Sequence, residues 1–291
     1  MYYKNISKFS IYILCIALII KAQDPQSGQV IGFASIDGEG GQKLTGGTTG
    51  GKGGKVVKAT NTIELINYIS QDMPLIIHVE GTIELPINRI EAGNRHRYGA
   101  HFVSSHKTIT GVGSNPTIKG GGFVIGNIPF DNDVTTPADN APHNVIIRNL
   151  FFDGTGGYPG ETDCISIFMH AHHIWIDHCT FRNEGDGAID TKRGSNYVTV
   201  SWCHFIENIG TSIVGHKDYN APQDSGYLYL TYHHNYWQDI VEKGPLVRFG
   251  KVHVFNNYYT SIKSYALGLG RSAQIYSENN FMENGNSFSM D

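Results

Sequence analysis

The sequence predicts an all-β protein, a right-handed parallel β-helix with one short capping helix near its N-terminus. The first observation is a loose repeat, because six segments share one template: VIIRNLFF, IWIDHCTF, VTVSWCHF, LTYHHNYW, VHVFNNYY and IYSENNFM. The second is their spacing of 22 to 32 residues, with strand-like patterns and no helical pattern between them. The third is the composition, since 35 glycines and 40% apolar residues are typical of short strands, many turns and a large core.

The aligned repeat predicts which side chains stack along the axis of the solenoid. One copy is too small to bury its own apolar face, so each copy must stack on the next. The first column is Val145, Ile174, Val198, Leu230, Val252 and Ile275; the last is Phe152, Phe181, Phe205, Trp237, Tyr259 and Met282; the sixth ends in Asn235, Asn257 and Asn280. Stacked strands lie about 4.8 Å apart, so the asparagines could exchange amide hydrogen bonds. A β-sandwich is the competing architecture, and it would not need this register.

The segments outside the repeat can be assigned in order. Asn61–Gln71 has apolar residues at helical spacing, and Asn61 with Glu64 is typical of a helix start, which predicts a helix capping the first coil. Leu75–Ile83 and Lys107–Ile118 are predicted strands, with a turn at GVGSNP. The longest steps between copies, 29 and 32 residues, predict loops inserted after the first and third copies.

Residues 1–22 have the layout of a secretory signal peptide, with two lysines ahead of the apolar run Phe9–Ile20. A membrane anchor is the alternative, but the run is short for a membrane span. We therefore expect a secreted, extracellular protein in which residues 23–291 form the β-helix domain, with no membrane attachment after cleavage. Cleavage removes three lysines and no acid, which lowers the formal net charge from −4 to −7. Such a chain does not attract polyanions in bulk, so we expect no nucleic-acid partner.

Three cysteines remain after the signal segment, namely Cys164, Cys179 and Cys203. An odd number does not make a disulfide scaffold. Cys179 and Cys203 share a column and could in principle form a disulfide, but we favour two stacked small apolar side chains.

Histidines cluster as His170, His172 and His173 and as the pair His233-His234. A transition-metal site needs three or more converging ligands, whereas alternation along a strand puts His172 and His173 on opposite faces. We therefore predict packing or corner roles for them.

Charged residues outside the repeat gather in the segments between its strands. Alternation within DGAIDTKRG places Asp186, Ala188, Asp190 and Lys192 on one face of a strand. Equivalent segments of successive coils lie side by side, so Asp163, from the first insertion, is expected to join Asp186 and Asp190 in one lateral cleft. Such an all-oxygen cluster suits a hard divalent cation.

The alternative is a purely structural role, in which surface salt bridges form among Asp186, Asp190, Lys192 and Arg193. That alternative accounts for the strand alone. The addition of Asp163 and of the segment KGPLVR, residues 243–248, favours a functional site.

The block IWIDHCTF…DGAIDTKRGSNYVTVSWCHF…TYHHNYW…EKGPLVRFG…VFNNYY resembles the extracellular pectate lyases of the parallel β-helix type, a family that includes the pectin lyases. The resemblance runs from about Ile31 to the end, with the W-I-D-H, D-x-x-x-D and P-x-x-R elements in the family's order. It implies calcium-assisted β-elimination of polygalacturonate. Calcium would neutralise the C6 carboxylate of a galacturonate, a base would remove the C5 proton, and the C4 oxygen would leave.

The resemblance also implies roles for single residues. Asp163, Asp186 and Asp190 match the family's Ca²⁺ ligands, and Glu161 would be an additional ligand. Lys192 matches a lysine that binds a substrate carboxylate. Arg248 matches the second basic residue of the R-x-P-x-x-R motif, which belongs to the catalytic machinery and binds carboxylate bidentately.

Two positions depart from the family pattern. Lys243 stands where the family has its arginine base; lysine is the better base on pKa grounds but is shorter, and we take Lys243 as the working base. Gly210 stands where some relatives have a second substrate-binding lysine, so that contact is expected to be missing. Relatives also continue past Met282, so a C-terminal cap is expected to be lacking.

Four functional interpretations follow. The first is a secreted, monomeric, Ca²⁺-dependent pectate lyase acting on polygalacturonate. A pectin lyase acting on methyl-esterified polymer needs no metal, and the acid cluster argues against it. A galacturonan hydrolase would use Asp186 and Asp190 as acid and base and would leave no unsaturated product. A pectin-binding β-helix that lost its base at position 243 would bind without turnover.

Overall fold

The computed structural model describes residues 28–92, 95–127, 137, 139–157, 162–285 and 288–290. The predicted signal peptide and Glu161 lie outside these residues. The described chain winds into a right-handed parallel β-helix, as the repeat predicts. Within the described ranges we find no helix that is long and apolar enough to cross a membrane.

The N-terminal part forms the first coils and a hairpin. Its elements are β1 (Lys55–Ala59), α1 (Thr62–Ser70), β2 (Leu75–Leu85), β3 (Arg89–Ala92), β4 (Arg95–Tyr98), β5 (Ala100–Phe102), β6 (Lys107–Gly120) and β7 (Gly122–Ile125), preceded by 3-10 turns at Phe33–Ser35 and Gly40–Gln42. Strands β3 and β4 pair antiparallel, and the other strands pair parallel.

Each later coil gives one strand to each of three faces, which we name A, B and C in chain order. Face A holds β8 (His143–Arg148), β11 (His172–Asp177), β14 (Asn196–Ser201), β17 (Tyr229–His233), β20 (Lys251–Phe255) and β23 (Gln274–Glu278). Face B holds β9 (Phe151–Asp153), β12 (Thr180–Arg182), β15 (His204–Ile206), β18 (Tyr236–Gln238), β21 (Tyr258–Thr260) and β24 (Phe281–Glu283). Face C holds β5, β7, β10 (Ile165–Ile167), β13 (Ile189–Thr191), β16 (Ser212–Val214), β19 (Leu246–Val247), β22 (Leu267–Leu269) and β25 (Phe288–Met290).

The helix α1 begins as the sequence predicts. The side chain of Asn61 accepts a hydrogen bond from the amide of Glu64 at 3.0 Å, which satisfies one unpaired donor of the first turn. Leu65 and Ile69 point into the core, so the helix covers the first coil with its apolar face.

The predicted turn at residues 111–116 is instead a bend within β6. Gly113 and Asn115 take φ values of 74° and 53° there. On one side of the bend β6 pairs with β8, and on the other side it pairs with β9. The long strand therefore joins faces A and B on the first coils.

The register of the strands confirms the predicted columns. Ile174 lies opposite Val145 and Val198, and the same register continues through Leu230, Val252 and Ile275. The ring centroids of the aromatic column lie 5.0 Å apart for Phe152–Phe181, 5.2 Å for Phe181–Phe205, 4.1 Å for Phe205–Trp237 and 5.6 Å for Trp237–Tyr259. Because these side chains are buried, the column is core and not a sugar-binding surface.

The asparagine column forms the predicted hydrogen-bond ladder. The side-chain amide of Asn235 donates to Asn257 Oδ1 at 2.9 Å, and that of Asn257 donates to Asn280 Oδ1 at 3.0 Å. The same oxygens also accept backbone amides of the preceding coil, so each asparagine joins two coils.

Every corner between faces A and B has the same length. Two residues separate the strands in all six described copies, and the first of them is left-handed with φ between 51° and 55°. These first residues are Asn149, His178, Trp202, His234, Asn256 and Asn279. His178 stacks on Trp202, and Trp202 stacks on His234, so the corner residues form a stack of their own along the solenoid.

Variation in length is found beside face C. From β8 onward, the two longest connections lie between β9 and β10 and between β16 and β17, and the second contains the short helix α2 (Ala221–Asp224). They are the insertions predicted after the first and third copies.

The cysteines are free, in agreement with the packing interpretation of Cys179 and Cys203. The prediction that His172 and His173 lie on opposite faces is wrong. Both are buried, and their Nδ1 atoms lie 2.7 Å apart because His173 has a φ of 56°, which interrupts the alternation. In the described ranges, the only three convergent metal-ligating side chains are the carboxylates of the site below.

Candidate active site and metal site

Three carboxylates meet near the N-terminal ends of two neighbouring strands of face C, β10 and β13. Asp163 lies just before β10, Asp186 lies in the loop that leads into β13, and Asp190 lies at the centre of β13. One oxygen atom of each lies within 4.8 Å of the others. Asp163 and Asp190 are buried, whereas Asp186 is exposed at the mouth of the cluster. The structure thus brings together the three carboxylates that the sequence predicts to converge.

Their local geometry differs from the predicted strand. The prediction that Asp186, Ala188 and Asp190 line one face is wrong, because β13 begins only at Ile189 and Ala188 is buried in the core. The amides of Ala188 and Ile189 both donate to the carbonyl of Thr211, at 2.9 and 3.2 Å. The chain therefore turns before the strand starts, and Asp186 reaches the cluster from the loop.

Asp163 is saturated with donors. Its Oδ2 accepts from Arg97 Nη2 at 2.8 Å, from Lys192 Nζ at 3.4 Å and from the hydroxyl of Ser166. Its Oδ1 accepts the amide of Gly187 at 3.1 Å. Burial alone would raise the pKa of Asp163, but the charges of Lys192 and Arg97 outweigh burial and lower it.

Asp190 lies in a less favourable environment for a charge. Its Oδ2 accepts from Lys192 Nζ at 2.9 Å, and its Oδ1 accepts the amide of Ile213 at 3.3 Å. Burial, followed by the charge of Asp163, raises the pKa of Asp190 to about 7. Burial and Asp163 also raise the pKa of Asp186.

Lys192 is buried between the two carboxylates that it contacts. Burial alone would lower the pKa of Lys192, but Asp163 and Asp190 outweigh burial and raise it, so the ammonium form is stabilised. The predicted substrate-binding lysine therefore fixes both carboxylates in this structure.

The cluster fits a hard divalent cation. A Cβ on Gly187 would lie 2.5 Å from Asp190 Oδ1 and 3.2 Å from Asp163 Oδ1, so the glycine keeps the gap between the carboxylates open. The donors are all oxygens, which suits Ca²⁺. Arg97 and Lys192 compensate two of the three negative charges, which leaves the cluster anionic.

Lys243 lies beside this cluster, in the loop before β19. Its carbonyl accepts the amide of Ser212 at 2.8 Å, and its ammonium lies 3.2 Å from Glu242 Oε1. The same ammonium lies 3.4 Å from the position that a Cβ on Gly210 would take. Its charge opposes the upward pKa shift of Asp186, which places Lys243 within electrostatic reach of the carboxylates.

Arg248 follows β19 on the same side of the solenoid. Its Nε donates to Asp218 Oδ1 at 2.7 Å, and its amide donates to the carbonyl of Val214 at 2.6 Å. The side chain of Asp218 is 64% exposed, so this ion pair lies at the surface of the cleft.

Sequence reasoning missed three residues of this region. Arg97 comes from the hairpin β3–β4 and Asp218 from the second long connection, and neither belongs to the repeat. Glu184 is buried and accepts from the side chain of Asn208, from the amide of Ile209 and, at 3.3 Å, from the amide of Gly210. It therefore ties the loop under Lys243 to the preceding coil. In the sequence, Glu184 could have been noticed only by its position, three residues after Phe181 of the aromatic column.

The chain is similar in sequence to pectate lyases. A family model described as pectate lyase matches residues 8–290. A pectate trisaccharide-lyase of Thermotoga maritima is 38% identical over 254 residues, which cover 84% of this chain and 60% of that protein. Pectate lyase E of Dickeya chrysanthemi is 32% identical over 279 residues, which cover 84% of this chain and 70% of that protein. The chain thus spans about three fifths of the length of the Thermotoga relative.

Solved structures show the same likeness. A pectate lyase bound to a hexasaccharide superposes with a TM-score of 0.69 at 26% identity, covering 89% of this chain and 84% of the other. A thermostable pectate lyase gives a TM-score of 0.66 at 29% identity, covering 87% and 77%.

Proposed function

This chain belongs to the pectate lyase family, and on that premise we propose that it is a calcium-dependent lyase that cleaves polygalacturonate by β-elimination. The observation that carries the proposal is the convergence of Asp163, Asp186 and Asp190 within 4.8 Å, beside Lys243. A hydrolase would need only two carboxylates, and the third, together with the open gap at Gly187, supports a cation site instead.

Asp163, Asp186 and Asp190 would hold the cation. Glu161, outside the described residues, remains a proposed additional ligand. When bound, Ca²⁺ supplies positive charge that neutralises the carboxylate next to the reacting C5 atom. Lys192 keeps Asp163 and Asp190 in place, and its ammonium would also bind a carboxylate of the substrate.

The remaining steps use side chains of this chain. Lys243, as the neutral amine, takes the C5 proton, and the electron pair of the broken C–H bond forms the C4–C5 double bond. The C4–O bond breaks, and the leaving oxygen takes a proton from solvent. No water is consumed in the cleavage. Arg248 presents its terminal amino groups to the carboxylate of a substrate sugar while Asp218 holds Nε.

The test is incubation of the protein with polygalacturonate, with added Ca²⁺ and with a chelator. We expect unsaturated product, detected by ultraviolet absorbance, that stops when the chelator is added. New reducing ends without that absorbance would identify a hydrolase. Binding without turnover would identify a pectin-binding protein. Chelator-resistant product from methyl-esterified pectin would identify a metal-free lyase.

We further propose that residues 1–22 are removed during secretion and that a monomeric, extracellular enzyme results, built from residues 23–291. The charged and apolar pattern of the first 22 residues supports this proposal. N-terminal sequencing and light scattering of protein recovered from the medium test it.

A further inference from the structure

Glu184 carries a buried carboxylate in the loop between β12 and β13. Its Oε2 accepts the side-chain amide of Asn208, and its Oε1 accepts the backbone amides of Ile209 and, at 3.3 Å, of Gly210. A buried charge is costly unless it is hydrogen-bonded, so the carboxylate depends on these donors. Because the donors belong to three consecutive residues of the next coil, one side chain fixes the path of that segment.

The segment held by Glu184 supports the loop that carries Lys243. The amide of Ser212 donates to the carbonyl of Lys243 at 2.8 Å. Beside that bond, Gly210 and Glu242 pair in a parallel bridge. The Lys243 ammonium lies 3.4 Å from the point where a Cβ on Gly210 would lie, so the glycine that Glu184 holds by its amide also lies under the ammonium.

We propose that Glu184 is a positioning residue for Lys243 and acts through Gly210. Loss of its acceptor atoms would let residues 208–210 shift, and the nitrogen of Lys243 would then be misplaced relative to the C5 proton of the substrate. If Glu184 only stabilised the fold, its loss would lower the free energy of unfolding and leave the rate of the folded enzyme unchanged. This proposal rests on the proposed function, in which Lys243 is the base.

The experiment is steady-state kinetics on polygalacturonate with added Ca²⁺, at a temperature where every variant is folded by circular dichroism. Glu184→Met keeps much of the side-chain volume and removes both acceptor atoms. We expect kcat to fall about tenfold while KM stays unchanged, since the group that moves is the reacting one. Glu184→Asp keeps the charge but withdraws it by one methylene. It should also lower kcat, and it replaces the methionine variant if that one does not fold.

Glu184→Gln tests rescue by an isosteric side chain. Its amide oxygen can accept from the backbone amides of Ile209 and Gly210, and its amino group can donate to Asn208 once the Asn208 amide flips. The flip breaks no other bond, because Asn208 Oδ1 has no hydrogen-bond partner in the described part of the chain. We therefore expect kcat of Glu184→Gln to stay within about twofold of the wild type.

Asn257→Ala is the matched control for lost stability. Asn257 Oδ1 also accepts one backbone amide and one side-chain amide, both from Asn235, at 3.0 and 2.9 Å, but it lies at the corner between faces A and B. Its loss should destabilise the protein and leave kcat unchanged. In a Lys243→Ala background, Glu184→Met should have no further effect on kcat.

The outcomes separate this proposal from the role of Lys243. Unchanged kcat in both Glu184→Met and Glu184→Asp, or an equal loss in the Lys243→Ala background, overturns the role of Glu184 while an impaired Lys243→Ala still supports the base. A fall in kcat that Asn257→Ala shares overturns it as well, since lost stability then explains the effect. Full activity of Lys243→Ala overturns the base and this proposal together.

Discussion

Lys243 extends its ammonium over Gly210 on the preceding coil, 3.4 Å from the point where a Cβ would lie. The two residues are neighbours because residue 210 pairs with residue 242 in a parallel bridge. Because Gly210 has no side chain, the space above it is open to the long side chain of Lys243. The two departures from the family pattern are therefore spatially linked.

The first prediction tests this link with Gly210→Ala. The new Cβ would be in van der Waals contact with the Lys243 ammonium at 3.4 Å and would fill space into which that ammonium can move, and the carbonyl of Asp186, at 3.0 Å, would have to give slightly. We expect the turnover rate to fall about tenfold, since small displacements of a reacting group are costly. Steady-state kinetics measure this. In a Lys243→Ala background the same change should have no further effect, and an equal loss there would contradict the link.

The second prediction concerns Lys243 as the base. Lys243→Ala should lower the turnover rate by about 10²–10⁴-fold, the usual contribution of a general base, while Lys243→Arg should retain part of the activity. Lys55→Ala, at an exposed lysine of β1, serves as the control and should leave the rate unchanged. Full activity of Lys243→Ala would remove Lys243 from the mechanism.

The third prediction concerns Asp218. Because its carboxylate holds Arg248 by Nε and is exposed, the ion pair is worth at most about 1 kcal/mol. Asp218→Asn should therefore raise KM about threefold and leave kcat unchanged, as the guanidinium loses its orientation. Asp218→Glu, which keeps the carboxylate, should have a KM close to that of the wild type. A decrease in KM would show instead that Asp218 competes with the substrate carboxylate.

The fourth prediction concerns the asparagine ladder. Asn257 is buried and bonds to Asn235, Asn280 and the carbonyl of Tyr232. Asn257→Ala should lower the free energy of unfolding by about 2–4 kcal/mol, because it leaves buried groups without partners. Asn280→Ala, at the half-buried end of the ladder, should cost clearly less. Urea denaturation compares them, and equal losses would contradict cooperation along the ladder.

The fifth prediction concerns pH. Burial, together with the neighbouring His173 and His143, lowers the pKa of His172 to about 3. The unfolded chain binds a proton at this side chain near pH 6.5, so the free energy of unfolding falls as the pH drops from about 6.5 towards 3. Each such histidine adds a slope of up to about 1.4 kcal/mol per pH unit. His172→Asn imitates Asn196, its partner in register on the next coil, and should flatten the slope.

The measurement is urea denaturation of both proteins with chelator between pH 4 and 6.5. Asp190, with its pKa of about 7, acts in the opposite direction, since its stabilising protonation grows as the pH falls. That contribution is common to both proteins and cancels in their difference. Parallel slopes would refute the role of His172.

The repeat made the core predictable, because residues such as Phe181 and Asn257 recur at one position of a template and must stack. The meeting of Asp163 with Asp190 followed from the same stacking, since Asp163 lies just before β10 and Asp190 lies in β13, the equivalent strand of the next coil. Arg97 and Asp218 were not predictable, because their contacts depend on how non-repeating segments fold back over the coils. The burial of Ala188 was missed because a turn interrupts the alternation that was extrapolated through it.

The corners between faces A and B are of one length throughout the described copies, whereas the connections on either side of face C differ from coil to coil. Within this chain, the coils therefore differ in length next to the carboxylates and keep one length where face A meets face B. A change in the length of a connection beside face C would alter the surroundings of the carboxylates and leave the register of faces A and B as it is.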